Sequence, residues 1–296
     1  MSHVRRLFAS PARVEGAQFL FREIAHRMAE KLDLIKIDCK YVLDLGCGSG
    51  ADLQSLVKRF PEASTVVGID GSWQALKQVN QDERVSESRL DSFLTRFLSV
   101  GSKKQSQIEL VCGDFANLPL AGRCFDVLWS NLALHWHPEP DQVLREWFRV
   151  LSNNGLVMFS SFGPDTFGEL KQAFAAIDDF PHTLPFVDMH DLGDMLVAAG
   201  FATPVMDVER ITLTYADLDS LFSDVRAFGG NPLSTQRPGL MGKSAMKTLR
   251  AELEKKRGAD GRIPITIELV FGHAFKPVPT RTAAGESIVR LDFPKK

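Results

Sequence analysis

The stretch "YVLDLGCGSG", Tyr41 to Gly50, constrains this chain more than any other. A short apolar run carrying one acid passes into glycines at 46, 48 and 50, and Leu53, Leu56 and Val57 follow at helical spacing. Strand, glycine loop and helix in that order open a βαβ unit. Glycine supplies turns with positive φ and lets a ligand approach the main chain closely. The free N–H groups of the helix behind the loop are expected to favour an anionic group. The loop does not continue as G-x-G-x-x-G, because position 51 is Ala, and it lacks the Gly-Lys-Ser/Thr of a phosphate-binding P-loop.

The same rhythm recurs downstream. A second strand at 64–70 ends in Asp70, and a helix starts at Trp73 with Ser72 as its N-cap. Further strands are predicted at 108–114, 125–131 and 155–163, with a helix over 141–151. This alternation predicts an α/β fold with a doubly wound, mostly parallel, Rossmann-like sheet. An amphipathic entry helix over 17–35 places Phe19, Leu20, Ile24, Met28 and Leu32 on one face. After Gly163 come helices at 165–177 and 189–199, the latter stopped by Gly200, then late strands at 208–215 and 263–276, one of them antiparallel. The expected organisation is a helical cap (1–38), a ligand-binding core (39–163), and the rest of the sheet (164–276) with a helical lid or insert near 216–262. A loose tail (277–296) ends the chain. Residues 82–107 break the rhythm with an extra amphipathic segment containing Leu90, Phe93, Leu94, Phe97 and Leu98.

Composition narrows the function classes. The chain has 296 residues, is 44% hydrophobic and 24% charged, and carries a formal charge of −2. That balance gives no global electrostatic case for nucleic acid. No apolar run reaches the roughly 18–20 residues of a membrane helix. Without a secretory pattern at the start, a cytoplasmic location is expected. Cys39, Cys47, Cys112 and Cys124 have neither paired nor metal-binding spacing, so free thiols and no metal site are expected.

The acids behind the strands define a ligand. Asp70, followed by Gly71 and Ser72, stands where doubly wound folds place an acceptor for both hydroxyls of a ribose. Asp114 and Phe115 follow the third strand and offer an acceptor and a ring to adenine. Asp44 either orients the glycine loop around Cys47 or reaches the ligand's amino group. A nucleoside bearing an amino acid fits these parts, and that is S-adenosylmethionine.

In "VLDLGCGSG", "GID", "GDFANLPLAGRCFDVLWSNLALHW" and "GLVMFSSFG" the chain resembles class I S-adenosylmethionine-dependent methyltransferases over roughly residues 40–163. Within that class, "RVLSNNGLVMFSSFGPDTFGEL", "AIDDFPHTLPF", "RAFGGNP" and "IPITIELVFGHAF" look like the malonyl-acyl-carrier-protein O-methyltransferases of biotin synthesis. The resemblance implies esterification of the free carboxylate of a malonyl thioester. The entry helix is also similar to a methyltransferase-like group of respiratory complex I assembly factors, an alternative reading. Methylation of a small soluble acid is a third.

A carboxylate acceptor is already ionised at neutral pH and needs no general base. It needs a partially compensating cation that fixes it without quenching it. Arg237 is the expected anchor, with Arg226 behind it, because arginine binds carboxylates bidentately. After the fourth strand, Asn131 is expected to orient the loop, and His135 and Trp136 to wall the acceptor channel. For Trp136 and His137 a plain packing or surface role weighs evenly against a functional one, and for His182 a structural role stands slightly ahead of a lid role. The Asn/Asp-Pro-Pro-aromatic element of nucleic-acid amino-methyltransferases is missing here. Residues 237–262 set eight cations (Arg237, Lys243, Lys247, Arg250, Lys255, Lys256, Arg257, Arg262) against Glu252, Glu254 and Asp260. Such a patch would steer an acidic acyl carrier protein, although a plain solvated helix face explains it equally well.

Overall fold

The computed structural model describes residue 4 and residues 15–86, 107–228 and 241–279. Arg237, the apolar run 90–98 and residues 280–296 of the expected tail lie outside the described residues.

The elements alternate as the sequence predicts: α1 (Gln18–Leu32), β1 (Tyr41–Leu45), α2 (Leu53–Arg59), β2 (Thr65–Asp70), α3 (Trp73–Ser86), β3 (Gln107–Cys112), β4 (Phe125–Ser130), α4 (Pro140–Val150) and β5 (Leu151–Phe162). There follow α5 (Gly168–Ala175), α6 (Met189–Ala198), β6 (Ala202–Tyr215), α7 (Leu218–Ala227), α8 (Lys243–Glu254) and β7 (Ile263–Phe275). The seven strands form one sheet in the order β3-β2-β1-β4-β5-β7-β6. The first five are parallel, and β7 runs antiparallel to both β5 and β6. α7 and α8 supply the helices expected in the 216–262 insert.

Strand alternation divides the core between two faces. One face packs Val42, Val127 and Trp129 against Leu20, Ile24, Met28 and Leu32 of α1. The other packs Leu43, Leu45 and Leu128 against Val143, Leu144 and Trp147 of α4 and Leu192 and Leu196 of α6. Trp147 is fully buried and donates its indole N–H to the Phe115 carbonyl at 3.2 Å. Truncating it to alanine would cost about 3–5 kcal/mol. Asp44 sits on the α1 face of β1, because it shares the period of Val42.

Four expectations needed correction. Phe19, assigned to the buried stripe of α1, is 48% exposed with its ring 6.4 Å from that of Phe228. β5 starts at Leu151, four residues early, because a register shift between Phe125 and Val127 and the positive φ of Asn154 absorb the turn-forming Asn-Asn-Gly inside the strand. β6 starts at Ala202, where a bulge around Thr203 (φ 48°) accommodates Pro204. α3 continues to Ser86, into the segment expected to break the rhythm.

Ion pairs hold α1 across the sheet's far edge. Arg27 reaches Glu209 at 2.5 Å, and Lys31 reaches Asp207 at 2.5 Å and Glu209 at 2.9 Å. The N-terminal end of α1 is thereby carried over the carboxyl ends of β1 and β4, where Phe21 accepts a hydrogen bond from Asn131 Nδ2 at 3.0 Å.

Candidate functional site

An open cavity of about 1160 Å³, part of it continuous with solvent, lies beyond the carboxyl ends of β1, β2, β3 and β4. Open α/β sheets place ligands here, at the switch in strand order. Asp44, Gly46, Cys47 and Gly48 line it from β1 and its loop, and Asp70 and Gly71 from the end of β2. Asp114, Phe115, Asn131 and Trp136 close its other side. Ten residues singled out in the sequence thus converge on one space.

The glycine loop is shaped for close approach. Gly46, Gly48 and Gly50 all have positive φ, at 78°, 55° and 81°. A Cβ on Gly46 would fall 2.4 Å from that of Ala133, and one on Gly50 within 2.8 Å of Val79, so these two serve packing. A Cβ on Gly48 would meet no protein atom within 4 Å, so its bare main chain faces free space in the cavity wall. Cys47 turns its buried thiol toward Gly68, where an added Cβ would come within 3.0 Å of Sγ. Burial, then the charges of Asp44 and Asp70, push that thiol well above its ordinary pKa, so it is unreactive.

Asp70 ties the loop together. Its Oδ2 accepts from Gly48 N at 2.9 Å and its Oδ1 from Ser72 N at 2.7 Å. Both carboxylate oxygens thereby hold the loop at the cavity wall. Ser72 itself is buried away from the cavity and caps α3, accepting from Ala75 N at 3.3 Å. Asp114 Oδ1 accepts from Ala116 N at 3.0 Å, which fixes the turn that presents Phe115. Asn131 binds Asp52 and Phe21 through Nδ2 and accepts from Ser160 Oγ at 2.9 Å, so it holds three elements around the loop.

Electrostatically the cavity is acidic. Burial raises the pKa of Asp44 well above the carboxylate range, and the charges of Asp52 and Asp70 add to this. Its Oδ2 is buried without a hydrogen-bond partner. Burial also raises Asp52, against the opposing hydrogen bonds from Trp129 Nε1 at 2.9 Å and Asn131. Sequence reasoning did not find Asp52. Its signal was an acid two positions past Gly50, at the N-cap of α2. It alters the expectation of an anion cradle at that helix, for α2 has only seven residues and begins behind a carboxylate. Gln18 and Phe21 of α1 and Gln78 of α3 also line the cavity. No local pattern marked them.

S-adenosylmethionine fits on two observations. The orphaned Asp44 oxygen is suited to a cationic amino group, and the open space at Gly48 admits a group against the main chain. Among the described residues no group of three His, Cys, Asp or Glu is placed to hold a metal ion.

The expected acceptor-side residues are more scattered. His135 packs on Trp136 and does not line the cavity. His137 accepts from Glu139 N through Nδ1 at 3.1 Å and sets its ring 6.0 Å from Phe115, a packing role. His182 stacks on Phe174 at 3.8 Å and contacts Asp178 Oδ1 at 2.7 Å, which makes it a structural tie away from the cavity. Arg226 is exposed on the last turn of α7. In the basic segment Arg250 pairs with Asp219, Lys255 with Glu252 and Arg257 with Glu254, while Arg262 binds Thr214. These internal bonds reduce the free positive charge of the patch.

Residues 43–159 match the family described as methyltransferase domain. A malonyl-[acyl-carrier protein] O-methyltransferase from Laribacter hongkongensis is 44% identical over 278 residues, covering 93% of this chain and 89% of that protein. One of the same name from Nitrosospira multiformis is 42% identical over 282 residues, with the same coverage of each. Among solved structures, the YcgJ protein of Bacillus subtilis matches with a TM-score of 0.56 at 14% identity, over 86% of this chain and 99% of that one. The [4+2]-cyclase SpnF matches with a TM-score of 0.51 at 21% identity, over 87% and 81%. These structural likenesses concern the fold alone, and one fold serves many chemistries.

Proposed function

This chain belongs to the malonyl-[acyl-carrier protein] O-methyltransferase family, and from that premise we propose that it esterifies the free carboxylate of a malonyl group on an acyl carrier protein, in the route to biotin. The observation that carries this reading is the extent of the likeness. Identity of 44% runs over 93% of the chain, well past the 43–159 region that any methyltransferase of this fold would share.

When bound, S-adenosylmethionine supplies a methyl on a sulfonium, so that a C–O bond forms while the C–S bond breaks and its electron pair leaves with sulfur. The chain's own contribution is to bind, align and exclude water. Asp44 and Asp52 are the residues to meet the cationic amino-acid end, Gly46 to Gly50 to lie along it, and Asp70, with Gly71 and Ser72 holding its turn, to accept from the ribose. Asp114 and Phe115 are assigned to the adenine, and Asn131 to holding the loop beneath it. On this reading residues 39–163 carry most of the donor site, and residues 164–276 contribute to the acceptor side.

The carrier protein is assigned to the face that bears α8, where Lys243 and Lys247 are exposed. Acyl carrier proteins are acidic, and exposed lysines steer association more than they add affinity. Among the described residues no helix is long and apolar enough to cross a membrane.

The test is direct. Purified protein, labelled S-adenosylmethionine and malonyl-carrier protein should yield a base-labile methyl ester, and deletion of the gene should cause biotin auxotrophy. Absence of the ester with folded, cofactor-binding protein would overturn the reading.

A further inference from the structure

His135 lies on the single turn Leu134–Trp136 that follows β4, next to the cavity-lining Trp136. Its ring packs 4.9 Å from Trp136, 4.8 Å from Phe162 and 5.6 Å, edge-on, from Phe186. Phe162 and Phe186 also touch each other, at 5.5 Å. Inside this aromatic box both ring nitrogens are buried, and neither has a hydrogen-bond partner.

A neutral imidazole has one N–H donor and one acceptor nitrogen, and burying both unpaired carries the full cost of their desolvation. Buried polar groups nearby avoid that cost. Ser130 Oγ donates to the Leu45 carbonyl, Ser160 Oγ to Asn131, and Thr166 Oγ1 to the Glu268 carbonyl. Packing alone would be better served by phenylalanine at 135. An unpaired imidazole beside the donor cavity is therefore best explained by a polar group that arrives with a ligand.

We propose that His135 binds the acceptor, donating its ring N–H to the carboxylate oxygen that is not being methylated. The proposal rests on the functional reading above. The chemistry favours a neutral donor at this point. The carboxylate arrives ionised and must stay nucleophilic, and no proton moves in the transfer. The methyl donor is itself cationic, so the acceptor's countercharge is already in the site. A neutral N–H adds direction without competing for the oxygen's charge, as a guanidinium would. Burial supports this role, because it holds the imidazole unprotonated. Trp136, Phe162 and Phe186 would strip water from the carboxylate as it enters.

Lys171 provides the rival anchor. Its ammonium lies 5.8 Å from the Phe186 centroid and donates to the Pro164 carbonyl at 2.6 Å. Among the described residues, Lys171 is the cation set against a ring of this box, so it is the alternative anchor to test.

The experiment uses the full chain as wild type, His135→Phe, His135→Gln and Lys171→Met, with malonyl-carrier protein as acceptor. Steady-state KM and kcat are measured, together with binding of malonyl-carrier protein to protein saturated with S-adenosylhomocysteine, which reads acceptor affinity without turnover. Calorimetric Kd for S-adenosylhomocysteine and Tm complete the set. His135→Phe should raise KM and weaken acceptor binding at least tenfold, leave the S-adenosylhomocysteine Kd within twofold, and keep or raise Tm. His135→Gln, which retains an N–H donor, should recover most of the loss, and Lys171→Met should change KM by less than threefold. If wild type makes no ester, the functional reading falls and takes this inference with it. If wild type turns over while His135→Phe keeps its KM and acceptor affinity, or Lys171→Met carries the loss instead, this inference alone is overturned.

Discussion

The two sides of the site each bury a titratable side chain without a partner, and the two respond in opposite directions. On the glycine-loop side, burial and neighbouring acids push Asp44 up. On the aromatic side, burial pushes His135 down to about 3. Both shifts disfavour charge, yet the surroundings differ. Asp44 stands in a cluster with Asp52 and Asp70 that an arriving cation would relieve, whereas His135 stands among rings and its shift comes from burial alone. The first region is built to respond to a positive ligand. The second is built to remain neutral while an anion comes in.

The sharpest break in this comparison comes from the glycine loop. Gly46→Val sets a left-handed φ against a β-branched residue and drives Cβ into Ala133, at a combined cost of about 3–5 kcal/mol. Thermal unfolding should show a large loss of Tm. Gly48→Ala has room for its methyl, so its stability cost is only about 1–2 kcal/mol, from φ alone. The methyl would nonetheless obstruct the cavity wall, and Kd for S-adenosylmethionine should rise more than tenfold by calorimetry. A Gly48→Ala variant that binds like wild type would remove the loop from the donor site.

Asp44→Asn tests the acidic half. Losing one charged hydrogen bond costs about 1.5–3 kcal/mol, or roughly 10- to 150-fold in cofactor Kd. A carboxyl with a raised folded pKa contributes stability below its unfolded pKa of about 4 and loses it as pH rises toward the folded value. The variant escapes that loss, so its stability relative to wild type should improve as pH rises from about 4. Denaturant titrations at several pH values would show a flat difference if Asp44 were solvated.

His135 carries the opposite sign. A histidine with a depressed folded pKa contributes stability that is complete above its unfolded value of about 6.5 and is lost as pH falls toward about 3. The slope approaches about 1.4 kcal/mol per pH unit, so moving from pH 6.5 to 5 should cost up to about 2 kcal/mol in wild type. His135→Phe should lack that component, as urea midpoints at pH 5 and 7 would reveal. The smallest effect belongs to the carrier face. Reversing Lys243 and Lys247 to glutamate should raise KM for the carrier protein a few fold at low salt and hardly at all at 0.5 M, about where screening takes over.

Much of this was legible residue by residue. The order of elements through β5 followed from apolar periodicity and from glycine and N-cap signals, all of which act within a few residues. Asp44, Asp70 and Asp114 were found because each lies at or just beyond the carboxyl end of a strand, and the topology aligns those ends. The early starts of β5 and β6 were hidden by Asn154 and Pro204, turn-forming residues absorbed into bulged strands. Arg237 was chosen for its charge and its bidentate fork, and it lies outside the described residues.

What the sequence by itself determined is the glycine-loop half of the site, because a strand, a positive-φ loop and an acid at a strand end are local consequences of local chemistry. Tertiary structure alone decided that Asp52 joins Trp129 and Asn131, and that Phe21 of a helix 110 residues away takes the other Asn131 hydrogen bond. It also decided that His135 is left unpaired between Phe162 and Phe186. A missing partner depends on everything that packs around a group, and no pattern along the chain records it.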